Sequence, residues 1–362
     1  MVLQGANAQG KTNLLEAIYM LATTKSQRIR ADADLISWAD RDPLSAQAFA
    51  RIVGRVERSG SSQVLEIVIR EGGAEGQARK RFKLNGTERR ANEILGHVNA
   101  VFFSPTDVDL VAGSPSVRRR YLDVMLCQVD AGYVRALSRY NRTLLQRNAL
   151  LKQVRDRLQA IGTLEYWNEQ LCEYGAQVVA SRAAAIAELA SAASPWHAQL
   201  SGNSEQLSVE YRPALPEPPD PTRLAQTGPL YSFGLLKSAL EQLAAREVAA
   251  GMSLAGPHRD DLTISINSVD ATAFASRGQQ RTAALALKLS ELAYMRVHGG
   301  DHPVLLLDDA TSELDERRRG AILAAAAEGE QTFVTGADPS DFAGLPSTSR
   351  RWQVVNGTLE SL

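Results

Sequence analysis

The segment Gly5-Ala6-Asn7-Ala8-Gln9-Gly10-Lys11-Thr12 satisfies the pattern G-x-x-x-x-G-K-[ST], and it constrains the fold more than any other stretch of the chain. Such a loop works only where a strand delivers it and a helix receives it, because its backbone N–H groups must converge on phosphate oxygens. Gly5 and Gly10 let the backbone turn without a Cβ in the way. Ala6, Asn7, Ala8 and Gln9 span the cradle, Lys11 supplies a point charge for the β- and γ-phosphates of ATP, and Thr12 offers a hydroxyl to Mg2+. The following Asn13-Leu14-Leu15-Glu16-Ala17-Ile18-Tyr19-Met20-Leu21 has apolar residues at helical spacing, so a helix begins under the phosphates. Only Met1 to Gln4 precede the loop, so the strand that feeds it is expected to be short or largely missing.

A chain of 362 residues is long enough for two domains, or for one large domain carrying an insertion. Its 44% hydrophobic and 22% charged residues fit a globular protein with a substantial core. No apolar run long enough to span a bilayer and no charged-then-apolar leader occur, so a cytoplasmic location with no membrane partner is the default expectation. Cys127 and Cys172 are too few for a disulfide framework; both fall on apolar helical faces and read as buried thiols in a reducing compartment. The net charge of −1 excludes no nucleic-acid partner, because a basic surface can be offset elsewhere.

Residues 28–110 read as mixed β structure. Ala48 to Val56 and Val64 to Ile69 are strand-like, and Arg81-Phe82-Lys83-Leu84-Asn85-Gly86-Thr87-Glu88 places Asn-Gly where a tight hairpin needs it. That hairpin is basic. Lys80 and Arg81 are candidate DNA contacts, although charge on an edge hairpin also guards against aggregation. Ala100 to Phe103 is a short buried strand ended by Ser104-Pro105. From about Ser114 the chain turns helical. Apolar residues recur at Leu137, Tyr140, Leu144, Leu151, Val154, Leu158 and Ile161, and after a break at Gly162-Thr163 at Leu164, Trp167, Leu171, Val178, Ile186 and Leu189. Two long helices so closely joined predict an antiparallel hairpin. From Arg118 to Arg157 ten basic residues face three acidic ones, and Arg118, Arg119, Arg120, Arg135, Arg139 and Arg142 are candidates for phosphate-backbone contact. A solvated helix face would look similar. Six prolines between Pro213 and Pro229 predict a loop, followed by a helix from Ser232 to Ala250. Leu262 to Ile266 reads as a strand, and Val304 to Leu307 and Gln331 to Thr335 suit a buried parallel sheet.

The run Val304-Leu305-Leu306-Leu307 ends in Asp308-Asp309, a Walker B pattern. A buried strand would present Asp308 at its C-terminal edge, where it can share Mg2+ with Thr12, and Asp309 takes the place of a group that polarises the attacking water. Ser276-Arg277-Gly278-Gln279-Gln280-Arg281, leading into a helix, looks like the signature of the ATP-binding-cassette superfamily, in which Ser276, Gly278 and Gln279 would meet the nucleotide of a second subunit. Ser312-Glu313-Leu314-Asp315 resembles the D-loop of that superfamily, with Asp315 toward the composite site.

The finer pattern resembles the RecF family, of the SMC-like branch of these ATPases. The resembling residues are Gly10 to Tyr19, Phe103-Ser104-Pro105 through Asp107, and Gly113 to Ser116 with Arg118 to Asp123. They continue in Gln146-Arg147-Asn148 with Leu150 to Lys152, Gly256-Pro257-His258-Arg259-Asp260-Asp261, Ser276 to Arg281, and Leu306 through Asp315. The resemblance implies an α/β ATPase head (lobe I, 1–112 and 253–362) with an inserted all-α arm lobe (lobe II, 113–252, with its Pro-rich connection at 213–229). It implies an ATP-driven homodimer, with Lys11, Asp308, Asp309 and Ser276 as the groups acting on ATP. The dimer would bind double-stranded DNA and single-strand/double-strand junctions at gaps, and work with RecR and RecO to load RecA. Slow, DNA-stimulated hydrolysis would release it. Family members carry about thirty further residues before the phosphate loop, so the adenine contacts supplied there are expected to be absent. A transporter subunit would show Gln after the strand near Phe103 and His after the strand near Val334; Ser104-Pro105 and Thr335-Gly336 stand there instead. Asp309 stands where the family of folds usually has Glu, which suits a poor hydrolase. Another SMC-like repair ATPase, with a longer arm, is the main alternative. His97, His197, His298 and His302 have no metal-ligand spacing, and His258 is open between a place near the nucleotide and a turn-stabilising role.

Overall fold

The computed structural model describes residues 1–29, 31–37, 48–58, 60–71, 78–309, 315–342, 344–346 and 348–361. They separate into two compact units, Met1–Pro105 with Met295–Leu362, and Thr106–Tyr294. This division differs from the expected one at residues 113 and 252. The strand Asp261–Ile266 pairs with Leu207–Arg212 of the insert, which draws it and the Ser276 segment into the second unit.

The first unit opens with β1 (Val2–Gln4), α1 (Lys11–Thr23), β2 (Phe49–Arg58), β3 (Ser61–Glu71), β4 (Ala78–Leu84), β5 (Thr87–Arg89), α2 (Ala91–Ile94) and β6 (Ala100–Phe103). The second holds α3 (Asp109–Ala112), α4 (Pro115–Val129), α5 (Ala131–Arg155), α6 (Glu165–Ser201), β7 (Leu207–Arg212), α7 (Pro221–Ala250), β8 (Asp261–Ile266), β9 (Val269–Asp270), α8 (Ala271–Phe274) and α9 (Arg277–Gly299) through Tyr294. The chain then completes the first unit with β10 (Val304–Leu307), α10 (Glu316–Glu328), β11 (Thr332–Gly336), β12 (Arg351–Val355) and β13 (Thr358–Ser361).

The first unit has two sheets. One runs β13-β12-β1-β11-β10-β6, with only the β12–β13 pair antiparallel. Its central strands are apolar on both faces, as parallel strands must be; Leu305, Leu306 and Leu307 are all buried. β1 is short, as expected, yet its three residues pair with β11 on one side and β12 on the other. The second sheet, β2-β3-β4-β5, is antiparallel and packs Leu65, Ile67, Ile69 and Phe82 against Met20 and Leu21 of α1. Asn85 and Gly86 both take positive φ (50° and 79°), the twist-compatible hairpin turn that Asn-Gly predicts.

The second unit contains the expected helical hairpin. Tyr133 contacts Arg182, Tyr140 lies under Gly175, and Arg147 bonds Asn168, three meetings one heptad apart that run in opposite directions along α5 and α6. A Cβ on Gly175 would come within 3.1 Å of the Tyr140 ring, so this glycine sets how closely the helices approach. Asp130 interrupts the helical run by capping α5 through the N–H groups of Gly132 (2.7 Å) and Tyr133 (3.0 Å). Two features depart from expectation. β7 lies in a stretch where no strand is expected. The Pro-rich stretch is not all loop, for α7 starts at Pro221 behind an Asp220 cap. Pro221 and Pro229 each stand where a helix has no use for an N–H, and Gly228 (φ 69°, ψ −164°) breaks α7 between them.

The Gly256 to Asp261 segment gathers the second unit. Pro257 O accepts from Arg182 of α6 (2.7 Å), His258 Nδ1 from the Tyr140 hydroxyl of α5 (2.6 Å), and Asp260 from the Tyr211 hydroxyl of β7 and from Ala214 N (2.7 Å). Asp261 accepts from Nε and Nη2 of Arg118 of α4, at 2.6 and 2.9 Å. His258 is therefore a structural tie within the second unit. Its Nε2 faces Ser253 O at 3.3 Å. Burial lowers its pKa to about 4. The unfolded chain therefore takes up this proton first, and stability is lost as pH falls from 6.5 through 4. Replacing His258 with Gln, which can accept from Tyr140 and donate to Ser253, should remove that loss. Urea melts of the two proteins from pH 7 to pH 4 should diverge by about 3 kcal/mol, wild type losing more.

Candidate functional site

The site lies at the C-terminal edge of the parallel sheet, where β1, β11 and β10 end side by side. β1 stops at Gln4. Gly5 follows where a Cβ would meet Val354 O at 2.6 Å, so no other residue fits without moving β12. Gly10 takes φ 99° at the cap of α1, a left-handed turn that aims the first N–H groups of the helix into the loop. The turn after β12 braces the loop from outside: Asn356 N donates to Gln9 Oε1 (2.7 Å) and Gly357 N to Gln9 O (2.9 Å). Ala6, Asn7, Ala8 and Asn13 are exposed.

Lys11 is buried, and its ammonium donates to Gly5 O (2.6 Å) and Ala6 O (3.1 Å) inside the loop. The Thr12 hydroxyl donates to Asp308 Oδ1 at 2.8 Å. The same oxygen lies 3.0 Å from the Thr335 hydroxyl of β11, whose Oγ1 in turn accepts from Asp309 N (3.0 Å). Thr335 thus joins the two acid residues to the strand between them. No motif marks it; the only signal is that a threonine ends a strand flanked by both phosphate-loop and acid strands. Asp309 has φ 47°, a strained left-handed conformation for a residue with a side chain. Burial, the neighbouring Asp308 and then Asp341 raise its pKa, against Lys11 and Thr335, which lower it.

The hydroxyl of Thr12 and the carboxylate of Asp308 are hard oxygen donors, a fit for Mg2+ that also takes phosphate oxygens. Among the described residues no group of three or more His, Cys, Asp or Glu side chains could hold a metal ion.

In the second unit, Ser276 and Gln279 cap α9 reciprocally. Ser276 N donates to Gln279 Oε1 (2.8 Å) and Gln279 N to Ser276 Oγ (3.2 Å). Gly278 sits between them on the exposed helix start. Asp315 caps α10 by accepting Arg318 N (2.9 Å) and its guanidinium (2.7 Å). Ser312, Glu313 and Leu314 lie outside the described residues.

The arginine candidates divide. Arg118 is buried and bound to Asp261, and Arg119 donates to Asp260 O (2.7 Å), so these two serve the fold. A bidentate pair at 4% exposure leaves the Arg118 guanidinium no face for a phosphate, which corrects the expectation for that residue. Lys80 is similarly engaged, with Asp32 (2.5 Å) and Thr24 O (3.2 Å). Arg120 and Arg81 are exposed, with Arg81 3.9 Å from Glu88. Arg135, Arg139 and Arg142 are exposed along one face of α5, at intervals of four and three residues, while Tyr133, Ala136, Tyr140 and Arg147 fill the opposite face. Arg139 also stacks 5.4 Å over the Tyr174 ring.

Cys172 is buried, and burial raises its thiol to about 12; Cys127 is half-buried. No helix among the described residues is long and apolar enough to cross a membrane.

Comparison with known proteins agrees with this construction. The family model of the RecF/RecN/SMC N terminal domain matches residues 1–354. The DNA replication and repair protein RecF of Chloroflexus aggregans is 40% identical over 372 residues, covering 99% of this chain and 93% of that protein. RecF of Bacillus subtilis is 40% identical over 336 residues, covering 92% and 86%. A solved structure described as the recombination mediator protein RecF-ATP in the RecFOR pathway superposes with a TM-score of 0.83 at 32% identity, covering all of this chain and 91% of that one. A family model over nearly the whole chain and relatives at 40% identity show that the chain belongs to the RecF family of DNA replication and repair proteins.

Proposed function

We propose that this protein is an ATP-dependent DNA-binding mediator of recombinational repair, whose dimer forms around ATP and is released by slow hydrolysis. The observation that carries the reading is the Thr12 hydroxyl 2.8 Å from Asp308 Oδ1, beside the buried ammonium of Lys11. In this reading Lys11 and the N–H groups of the loop hold the triphosphate, and Thr12 and Asp308 hold Mg2+. When bound, the ion would offset charge on the phosphate oxygens that Thr12 and Asp308 face. Asp309 orients the attacking water, and its short side chain suits slow turnover that DNA accelerates. Ser276 and Gly278 of a second copy close on the γ-phosphate through the start of α9. The exposed Arg135, Arg139 and Arg142 of α5, together with the exposed Arg120 of α4, meet the phosphates of duplex DNA and of single-strand/double-strand junctions. The neighbouring solved structure is named for the RecFOR pathway, which supports partnership with RecR and RecO, and through them with RecA. α5, with 25 residues, reaches about 38 Å at 1.5 Å per residue, short for a coiled-coil tether and thus in favour of a mediator over other SMC-like ATPases.

Light scattering should show ATP converting monomer to dimer. Ser276→Arg should abolish that conversion while monomeric ATP affinity stays within about twofold, since the phosphate loop is untouched; dimers formed by S276R would remove the trans-acting signature. Asp309→Asn should leave the ATP dimer intact and lower turnover by about a hundredfold or more, read by phosphate release. Unchanged turnover would place water activation elsewhere. Replacing Arg135, Arg139 and Arg142 together with Ala should weaken duplex binding and flatten the slope of log K against log salt by roughly 2 to 3, the counterions of three phosphate contacts. An unaltered slope would take the DNA surface off α5.

A further inference from the structure

Glu205 sits in the short connection between α6 and β7, and nothing in the phosphate chemistry calls for it. One of its carboxylate oxygens accepts from Gln279 Nε2 at 2.9 Å. The other lies 3.1 Å from Nε2 of His197, a fully buried residue of α6. Gln279 is the residue whose other amide end, Oε1, accepts the Ser276 N–H at 2.8 Å. The sequence of contacts is therefore His197 to Glu205 to Gln279 to the backbone of Ser276, all within the second unit.

The chemistry of the groups makes this more than a surface contact. An amide can be reversed about its last torsion, and a reversed Gln279 would aim its NH2 at the Ser276 N–H and break the reciprocal cap. A carboxylate only accepts, so it forces the NH2 of Gln279 toward itself and the oxygen toward Ser276. His197, buried in α6, keeps Glu205 from turning away. Ser276, Arg277 and Gly278 are exposed; the Ser276 carbonyl is held by Gln280 N at 2.9 Å, whereas its N–H is held by the Gln279 amide oxygen that Glu205 orients.

We propose that Glu205 is the positioning residue of the Ser276 signature: through Gln279 it holds the start of α9 in the one conformation that a second copy's triphosphate can use. The inference rests on the reading that Ser276 and Gly278 act on the nucleotide of a second copy. With Glu205 absent, the Gln279 amide turns freely and the cap opens. Ordering Ser276 to Gly278 then falls to the moment of dimerisation, which weakens the dimer and leaves the monomer's own ATP site alone.

The test compares ATP-driven dimerisation of wild type, Glu205→Ala and Glu205→Gln by light scattering, with ATP affinity of the monomer measured alongside. E205A should dimerise about tenfold more weakly or worse. E205Q keeps an acceptor for Gln279 but can also donate, so it orients the amide less firmly and should fall between wild type and E205A, and all three should bind ATP equally as monomers. Hydrogen exchange at the amides of residues 276–279 should quicken in the E205A monomer only. If E205A does not fold, Gln279→Met, which removes both amide contacts from a partly exposed site, should show the same weakened dimer and faster exchange. Wild-type dimerisation by E205A (or by Q279M in its place), E205Q as weak as E205A, or unchanged exchange would each overturn the proposal. S276R separates the two levels. If S276R dimerises, the underlying reading fails; if S276R is monomeric while E205A dimerises normally, only the role of Glu205 fails.

Discussion

Two buried guanidinium groups decide how the second unit is put together. Arg147 and Arg182 are each 2% exposed, and a cation at that depth is tolerated only when every donor finds an acceptor. Arg182 of α6 reaches Asp123 of α4, the Tyr133 hydroxyl of α5 and Pro257 O. Arg147 of α5 reaches Asn168 of α6, Ser253 and Glu247 of α7. Glu247 spends its second oxygen on Leu254 N at 2.6 Å, which ties the segment after α7 to the same pair. Four helices and the strand-forming segment that follows are thereby specified by two side chains. Such pairs add little net stability over an apolar substitute, but removing one partner strands the other charge, on the order of 3–5 kcal/mol. Their effect is to make one arrangement of the hairpin acceptable and its slipped alternatives costly.

The phosphate site in the first unit obeys the opposite logic. There the buried carboxylate of Asp308 accepts from the hydroxyls of Thr12 and Thr335, the backbone N–H of the half-buried Asp309 donates to Thr335, and the nearby ammonium of Lys11 donates to loop carbonyls. Burial and the adjacent Asp308 raise the pKa of Asp309 at this sheet edge, and its backbone takes a left-handed φ of 47°. Strain and like charge gathered at one edge are what a site for Mg2+ and a triphosphate requires, since the bound charges supply the compensation.

How far the sequence foretold this depends on whether a residue's role is local. The phosphate loop, the Asn85-Gly86 turn, the apolar strands β10 and β11 and the fold back of α5 on α6 all follow from spacing over a few residues, and all are present. β7 escaped because Leu207, Val209 and Tyr211 alternate over only six residues, next to a proline-rich segment that dominated the reading. The start of α7 escaped because six prolines suggest loop, whereas two of them occupy helix starts after Asp220 and Gly228, where proline is favoured. No motif marks Thr335 or Glu205, since each acts through side-chain partners as far as 27 and 74 residues away.

The arginines show why counting charge is a poor guide to a ligand surface. The stretch from Arg118 to Arg157 carries a net +7 in sequence, yet Arg118, Arg119 and Arg147 are bound inside the second unit and Arg155 lies 2.9 Å from Asp156. What distinguishes the remaining group is phase. Arg135, Arg139 and Arg142 fall on the face of α5 opposite Tyr133, Tyr140 and Arg147, so the residues that lock the hairpin and those left for a partner alternate along one helix. Because the helix rises 1.5 Å per residue, those intervals of four and three residues keep the stripe on one face, with axial steps of about 6 and 4.5 Å. Anything that shifted the register of α5 against α6 would therefore rotate the stripe as well. The buried pairs of Arg147 and Arg182 thereby fix which arginines of α5 face outward.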